Sequence, residues 1–285
     1  MAFRATSGTT IAETTFANIP SPVGSNGLII RVSDVGPAPG ILLISNGTIW
    51  RPLNGSAVLY KRNTNPITVQ SLAEQTAETI GPFPGGLVRA GSMIQVDNKL
   101  NVGAIGTAAR HVLVYVGAQG ASAQQVSTTT SAPITANQVD ISYRKLTSLD
   151  CLADGSAAHR GGTAGSAGYQ YLGGLKAPVV DFSQPWELRV ALQSCAETAV
   201  NITAATWAAG VATYTATAHT LATGDKTTVA GITPNGYNVV GVVTVLNANT
   251  FTIPVAGDPG AYVSGGTSSR ISNVILDATT VTLIG

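Results

Sequence analysis

Charged side chains are scarce in this chain: Asp, Glu, Lys and Arg make up only 10% of its 285 residues, against about 25% in ordinary soluble proteins. Long apolar segments are missing too, since no run reaches the roughly 18 residues that cross a bilayer, which predicts no membrane insertion. The 44% hydrophobic share is too high for a disordered chain. Together these shortages indicate a dense β-assembly with much of its surface against neighbouring subunits.

Clustered positive charge is also absent. The net charge is +1 and the basic residues are scattered, which argues against a nucleic-acid partner. Residues 1–7 carry no charged leader followed by an apolar core, which predicts no secretory signal. Cysteine is limited to Cys151 and Cys195. In a reducing cytosol two buried free thiols are favoured for them, with a disulfide as the alternative.

Residue patterns that carry catalysis are missing as well. No nucleophile elbow or phosphate-binding loop occurs, and the Gly-rich run 161–168 indicates a surface loop. Asp150 and Asp154 are the only close acidic pair in a loop, and 6% aromatics argue against a large carbohydrate-processing cleft. The histidines have no carboxylate or cysteine at metal-ligand spacing; they are His111, His159 and His219. The sequence therefore predicts no enzyme, catalytic residue, cofactor or metal.

What the sequence does contain is a succession of short β-prone runs separated by turn residues, which predicts an all-β fold. Residues 28–53 read as a three-strand meander whose Asn46-Gly47 turn predicts a hairpin with positive φ at both positions. The second strand of the meander reads as 41–45. Residues 58–193 read as further short strands joined by irregular loops, among them 92–97, 100–103 and 186–193. The one helix-like stretch, 70–79, is too short and Thr-rich to form a helix.

The stretch from Trp207 to Ser269 consists almost entirely of alternating Thr, Val, Ala and Tyr with turn residues between the runs. Since side chains alternate faces along a strand, the pattern predicts a small all-β module with one buried face per strand.

Several segments of this module resemble a small β-module of phage tail and other virion proteins. The resemblance rests on His219–Asp225, Gly231–Asn238, Asn249–Thr252 and Pro259–Gly266. Upstream, Val32–Gly55 resembles a segment that precedes a β-sandwich in phage fibre and appendage proteins.

Two further segments resemble the halves of a jelly-roll-like domain of phage appendages: 78–96 the front half and Asp181–Val190 the back half. The resemblance implies a last strand near the C-terminus, at 272–277 with 281–284. The module would then be inserted before the final strands, with a tandem arrangement as the alternative. Four domains are expected. They are an N-terminal anchoring arm (1–26), a small β-meander (27–56), a jelly-roll-like β-sandwich (57–202 with 270–285) and an inserted small β-module (203–269).

The resemblance implies a structural protein of a tailed bacteriophage virion, either a tail, collar or baseplate fibre or a head decoration protein. It implies that the protein is synthesised in the bacterial host cytoplasm and forms a homo-oligomer, with a trimer favoured. It also implies that the N-terminal arm binds other virion proteins. The alternative is a module that binds a host receptor or surface glycan.

The arm cannot form a core of its own, since residues 1–20 carry single aromatics among Thr and Ala, so we expect it to fray or to dock on a partner. The candidate assembly-interface residues are Phe3, Phe16, Ile19 and Trp50. For Trp50, stacking on a sugar or partner is one interpretation, and covering the apolar face of the meander is the favoured one.

Overall fold

A computed structural model describes residues 11–48, 50–62, 65–88, 93–101, 110–131, 139–147, 158–161 and 180–284. The described chain is all-β, apart from single-turn 3-10 helices at Phe16–Asn18 and Asn235–Tyr237. It comprises an N-terminal meander, a jelly-roll sandwich and a small β-module inserted before the last strand of the sandwich. The expected fold class is confirmed.

The N-terminal meander is a four-stranded sheet in the order β1-β2-β3-β4. Its strands are β1 (Ala12–Thr14), β2 (Ile29–Val32), β3 (Ile41–Ser45) and β4 (Trp50–Pro52). Alternate residues of β2 and β3 are buried, as the alternation of apolar side chains requires. The first strand lies parallel to β2, so the segment expected to fray contributes an edge strand to the sheet.

The turn between β3 and β4 differs from the expected two-residue hairpin. Gly47 takes a φ of +87°, but Asn46 has no positive φ, and the nearest paired residues are Ser45 and Trp50. Side chains shape the turn instead: Asn46 Oδ1 accepts from Thr48 N at 3.0 Å and Ser45 Oγ accepts from Gly47 N at 3.0 Å. An Asx turn, in which the Asn side chain replaces a backbone acceptor, therefore closes this loop.

The sandwich consists of two antiparallel sheets. One has the order β12-β11-β8-β22-β5 with β6 also on β22, and the other β10-β9-β13-β7. Without the added strands β6 and β12, the orders β11-β8-β22-β5 and β10-β9-β13-β7 are those of the two sheets of an eight-stranded jelly roll. The strands are β5 (Ser56–Arg62), β6 (Ile67–Val69), β7 (Gln75–Phe83), β8 (Met93–Asn101), β9 (Arg110–Ala118), β10 (Ala121–Ser131), β11 (Val139–Thr147), β12 (Ala158–Gly161), β13 (Trp186–Ser194) and β22 (Val274–Ile284).

Between β13 and β22 the chain builds the inserted module from two four-stranded sheets, β14-β21-β17-β18 and β15-β16-β20-β19. Its strands are β14 (Val200–Asn201), β15 (Ala204–Ala208), β16 (Val211–Thr215), β17 (Lys226–Thr233), β18 (Val240–Val242), β19 (Thr244–Asn247), β20 (Thr250–Pro254) and β21 (Ser264–Arg270).

The buried apolar side chains form two separate cores. One includes Ile30 and Val32 of the meander together with Trp186 and Leu188 of the sandwich, so the meander shares the sandwich core. The other lies within the module and is centred on aromatic residues, among them Tyr214 and Phe251.

Several sequence predictions of single elements were wrong in detail. The stretch 70–79 forms no helix, as expected, and runs into β7, which begins at Gln75. The predicted strands 92–97 and 100–103 differ from the structure, in which Met93–Asn101 is one strand, β8. The predicted last strand, 272–277 with 281–284, is the continuous strand β22, which begins only at Val274 and whose pairing shifts register twice. These shifts interrupt the period of two, which explains the apparent break in the sequence.

Candidate interaction surfaces

The described N-terminal segment packs on the chain's own meander. Phe16 and Ile19 are partly buried against the sandwich and meander core, and the backbone N–H of Phe16 donates to Asp34 Oδ1 at 2.7 Å. Trp50 is 8% exposed, and its Nε1–H donates to the carbonyl of Pro20 at 2.8 Å. The expectation that residues 1–20 fray or dock on a partner was therefore wrong for Phe16 and Ile19, which pack on the chain's own core. Phe3 lies outside the described residues.

These contacts limit what three of the four candidate interface residues can offer a partner. Trp50 covers the meander, as the favoured interpretation stated, and its ring has little surface left for a sugar or another subunit. Phe16 and Ile19 keep only part of their side chains exposed. Sequence reasoning missed this packing because the sheet that receives these side chains is formed by residues further along the chain.

The module joins the sandwich through a short two-stranded stalk, residues 195–197 and 270–272. Ala196 and Ile271 form an antiparallel bridge, Glu197 N donates to Arg270 O at 2.7 Å, and Ser272 N donates to Cys195 O at 3.1 Å. The chain thus enters and leaves the module at the same place. Such adjacent ends are what an insertion at a loop tip requires.

Buried and partly buried polar groups attach this stalk to the sandwich. Arg110 is 2% exposed; its Nε–H donates to Asn273 O at 2.8 Å and its Nη2 lies 3.8 Å from Glu197 Oε1. Gln70 donates to Ile271 O at 2.8 Å and accepts at its own carbonyl from Lys226 Nζ at 3.4 Å. These contacts orient the module on one end of the jelly roll.

A second buried charged group, which we call the sheet-bridging cluster, joins the two sandwich sheets: Tyr60, Arg62, Glu78, Asn98 and Thr279. Arg62 Nε lies 3.6 Å from Glu78 Oε1 with side chains only 6% and 8% exposed, and the Tyr60 hydroxyl donates to the same oxygen. Burial, reinforced by this bond, raises the pKa of Tyr60 to about 12. Thr279 lies directly across from both Arg62 and Asn98 in the sheet.

On the outer face of the sheet β10-β9-β13-β7, an ion pair packs against an aromatic ring. Arg189 Nη1 lies 2.7 Å from Glu74 Oε1, and its guanidinium carbon sits 3.8 Å from the centre of the Tyr115 ring. The Tyr115 hydroxyl donates to Glu74 Oε2 at 2.5 Å. Burial, followed by the Glu74 bond and charge, raises the pKa of Tyr115. Because Arg189 covers the ring, this face offers no free aromatic platform at Tyr115.

The module core contains a buried histidine with backbone hydrogen-bond partners and, separately, two tyrosines joined by a hydrogen bond. His219 is 3% exposed; its Nδ1 accepts from Leu221 N at 3.1 Å while Nε2 lies 3.0 Å from Asn247 O, which assigns the proton to Nε2. The Tyr214 hydroxyl donates to Tyr237 O at 2.9 Å. Burial, then the nearby Tyr237, raises the pKa of Tyr214 to about 12. His219 is thus a structural residue of the turn.

Of the remaining candidates from the sequence, the structure describes His111 and Cys195. His111 is half-buried on β9, and burial lowers its pKa. Cys195 is a half-buried free thiol whose pKa burial raises. The side chain of His159 and the residues Cys151, Asp150 and Asp154 lie outside the described part. Within that part, no cluster of three metal-ligating side chains and no helix able to cross a membrane occur.

A groove of about 330 Å³ lies between the turn 37–42 and the start of β5. Its lining, residues 37–42, 53–54 and 56–58, contains no titratable side chain. The groove therefore has no side chain that could act as a general acid or base.

The module presents an apolar edge to solvent, which we call the β18–β19 edge (residues 239–247). Val240, Val242 and Leu246 are 55%, 56% and 59% exposed. Strands β18 and β19 are the terminal strands of the module's two sheets. Exposed apolar side chains on an edge strand are unusual in soluble proteins, because such edges pair with other strands.

Comparisons with known proteins give little further information. No protein-family model and no curated protein matches the chain. Among solved structures, it is similar to a chain of the infectious bursal disease virus Gx strain at 8% identity and a TM-score of 0.25, over 90% of its own length; it spans only 41% of that chain. It is also similar to the CBM2 module of the evolved Dit of Lactobacillus casei BL23 phage J-1, at 11% identity and a TM-score of 0.19, over 98% of this chain and 91% of the other. Likenesses this low carry no argument about function.

Proposed function

We propose that this chain is a structural component of a tailed-bacteriophage virion that acts by self-assembly and by docking on the particle. The observation that carries the proposal is the jelly-roll strand order, an architecture used by viral capsid domains among others. It agrees with the jelly-roll-like domain implied by the resemblance of residues 78–96 and 181–190 to phage appendage proteins. Since one fold serves many functions, the sequence resemblance is needed to choose among them.

Scarcity of charge supports the self-assembly part of the proposal. A β-protein that stays monomeric usually protects its strand edges with Lys and other charged residues, whereas only 10% of this chain is charged. We propose a homo-oligomer, with a trimer favoured, that docks on other virion proteins through its N-terminal arm. Position on the particle, whether fibre, collar, baseplate or head decoration, follows from copy number per virion.

We propose docking through only the first part of the arm. Residues 11–26 contact the meander of the same chain through β1, Phe16 and the carbonyl of Pro20. We therefore assign particle docking to residues 1–10, which include Phe3.

The test compares two truncations for incorporation into particles of the encoding phage. Deleting residues 2–10 should leave a folded protein that no longer incorporates, whereas deleting residues 2–20 should also lower its melting temperature because it removes β1 and Phe16. Normal incorporation of the shorter truncation would contradict arm docking, and absence of the full-length protein from purified particles would contradict the virion assignment.

Light scattering and the concentration dependence of the melting temperature test the proposed homo-oligomer. A monomer whose melting temperature does not depend on concentration would contradict it.

A further inference from the structure

The β18–β19 edge has the chemistry of a surface that another β-strand completes. Strand β18 pairs with β17 on one side, and within the described part of the chain no strand pairs with its other side. The side chains of Val240 and Val242 point to solvent, while those of Val239 and Val243 are half-buried and buried. An added strand would satisfy backbone groups and cover these two valines at once.

The usual devices that block edge pairing are missing from this edge. Residues 239–247 contain no charged side chain and no proline. The neighbouring lysine, Lys226 of β17, directs its ammonium group to the carbonyl of Gln70 at the stalk and so does not guard the edge. Gly241 keeps the strand close to the module core, since a Cβ there would lie 2.3 Å from Ile253 Cγ2.

The sequence of the edge selects a second copy of itself as the partner. Residues 239–243 read Val-Val-Gly-Val-Val in both directions. Antiparallel pairing about a two-fold axis at Gly241 therefore places Val240 of one copy opposite Val242 of the other. The exposed valines of both copies then lie on the same face of the joined sheet. Both surfaces are uncharged, so self-pairing brings no like charges together, and a charged partner would gain nothing here.

We propose that the β18–β19 edge is a homotypic contact, in which two copies of the module pair their β18 strands antiparallel around Gly241. The proposal concerns the module alone and does not depend on the virion assignment. A three-residue strand buries far less than the roughly 1,200 Å² of a stable interface, so the contact is weak and reversible in solution. It becomes effective where copies are held close together by other contacts.

Sedimentation velocity of the full chain over a range of concentrations measures this contact. We expect the mass to rise towards twice that of the base state, and the combined V240K and V242K substitutions to weaken this association by about tenfold or more, because like charges then face each other. The matched control is V263K, which changes a valine 69% exposed elsewhere in the module and should leave association unchanged. A mass independent of concentration, or equal weakening by V263K, would overturn the proposal.

Disulfide trapping tests the register. With Cys151 and Cys195 replaced by Ser, a mixture of V240C and V242C chains should form an interchain disulfide under mild oxidation, whereas either variant alone should not. Equal cross-linking of the single variants would overturn the two-fold pairing.

Particle incorporation of the V240K/V242K protein distinguishes this contact from the proposed function. Loss of association together with normal incorporation supports the edge contact and leaves the proposed docking through residues 1–10 intact.

Discussion

Arg62 and Glu78 join the two sheets of the jelly roll through charges removed from water. Removing one member of such a pair leaves the other charge buried, which costs about 3–5 kcal/mol, whereas replacing both by apolar residues can be neutral. We expect Glu78→Gln to destabilise the jelly roll by about that amount and the double substitution R62M/E78L to recover most of it. Urea denaturation of the single and double variants gives the coupling energy.

The control for this cycle is the exposed pair Lys99–Asp277, at 3.8 Å with the lysine side chain 50% exposed. Lys99→Met should cost less than about 1 kcal/mol, as surface ion pairs do. A loss for Glu78→Gln no greater than that for Lys99→Met would show that the buried pair does not couple the sheets.

Tyr214 makes the free energy of unfolding of the module decrease as the pH rises through the alkaline range. Its folded pKa of about 12 lies above the ordinary value of 10, so its contribution is fully present below pH 10 and is lost as the pH rises towards 12. Tyr214→Phe should remove this part of the pH dependence and, through loss of the bond to Tyr237 O, cost the module about 1–3 kcal/mol at neutral pH. Unfolding curves from pH 9 to 12, with tyrosinate absorbance, measure both. Ionisation of all eight tyrosines together near pH 10 in the folded protein would contradict the assignment.

At the scale of elements, the stalk makes the module removable. Glu197 N and Arg270 O are hydrogen-bonded at 2.7 Å, so replacing residues 198–269 by Asn-Gly closes a tight turn without moving β13 or β22. We expect the shortened chain to retain the jelly-roll unfolding transition. The control deletion, 195–272 replaced by the same turn, also removes Glu197 and the stalk, and should lower the melting temperature because Arg110 loses a buried partner. Insoluble protein from the first replacement but not from the second would contradict a self-contained module.

For the whole molecule, two separate hydrophobic cores predict two unfolding transitions. Calorimetry should show one transition for the meander and sandwich together, since they share a core, and a second for the module. Glu78→Gln should shift only the first and Tyr214→Phe only the second. A single transition that both substitutions shift equally would show that the stalk couples the cores into one cooperative unit.

How much of this could be predicted from the sequence differs from element to element. Strands with regular alternation, such as β3 and β13, were located almost to the residue, because a period of two is visible locally. The edge strand β10 was missed, since its Ser, Thr and Gln residues show no such period. The last strand was recognised only as two segments, 272–277 and 281–284, because the register shifts of β22 break the pattern.

The sequence by itself determined the all-β class, the low charge and the palindromic run at Gly241, because these depend only on residue types and their spacing. The tertiary structure alone decided which charges are buried, that residues 11–26 pack on their own meander, and that the ends of the module meet in one stalk. Arg62 and Leu276, whose guanidinium and carbonyl lie 3.1 Å apart, are separated by more than 200 positions. Contacts of this kind arise from chain topology, and no local pattern of side chains encodes them.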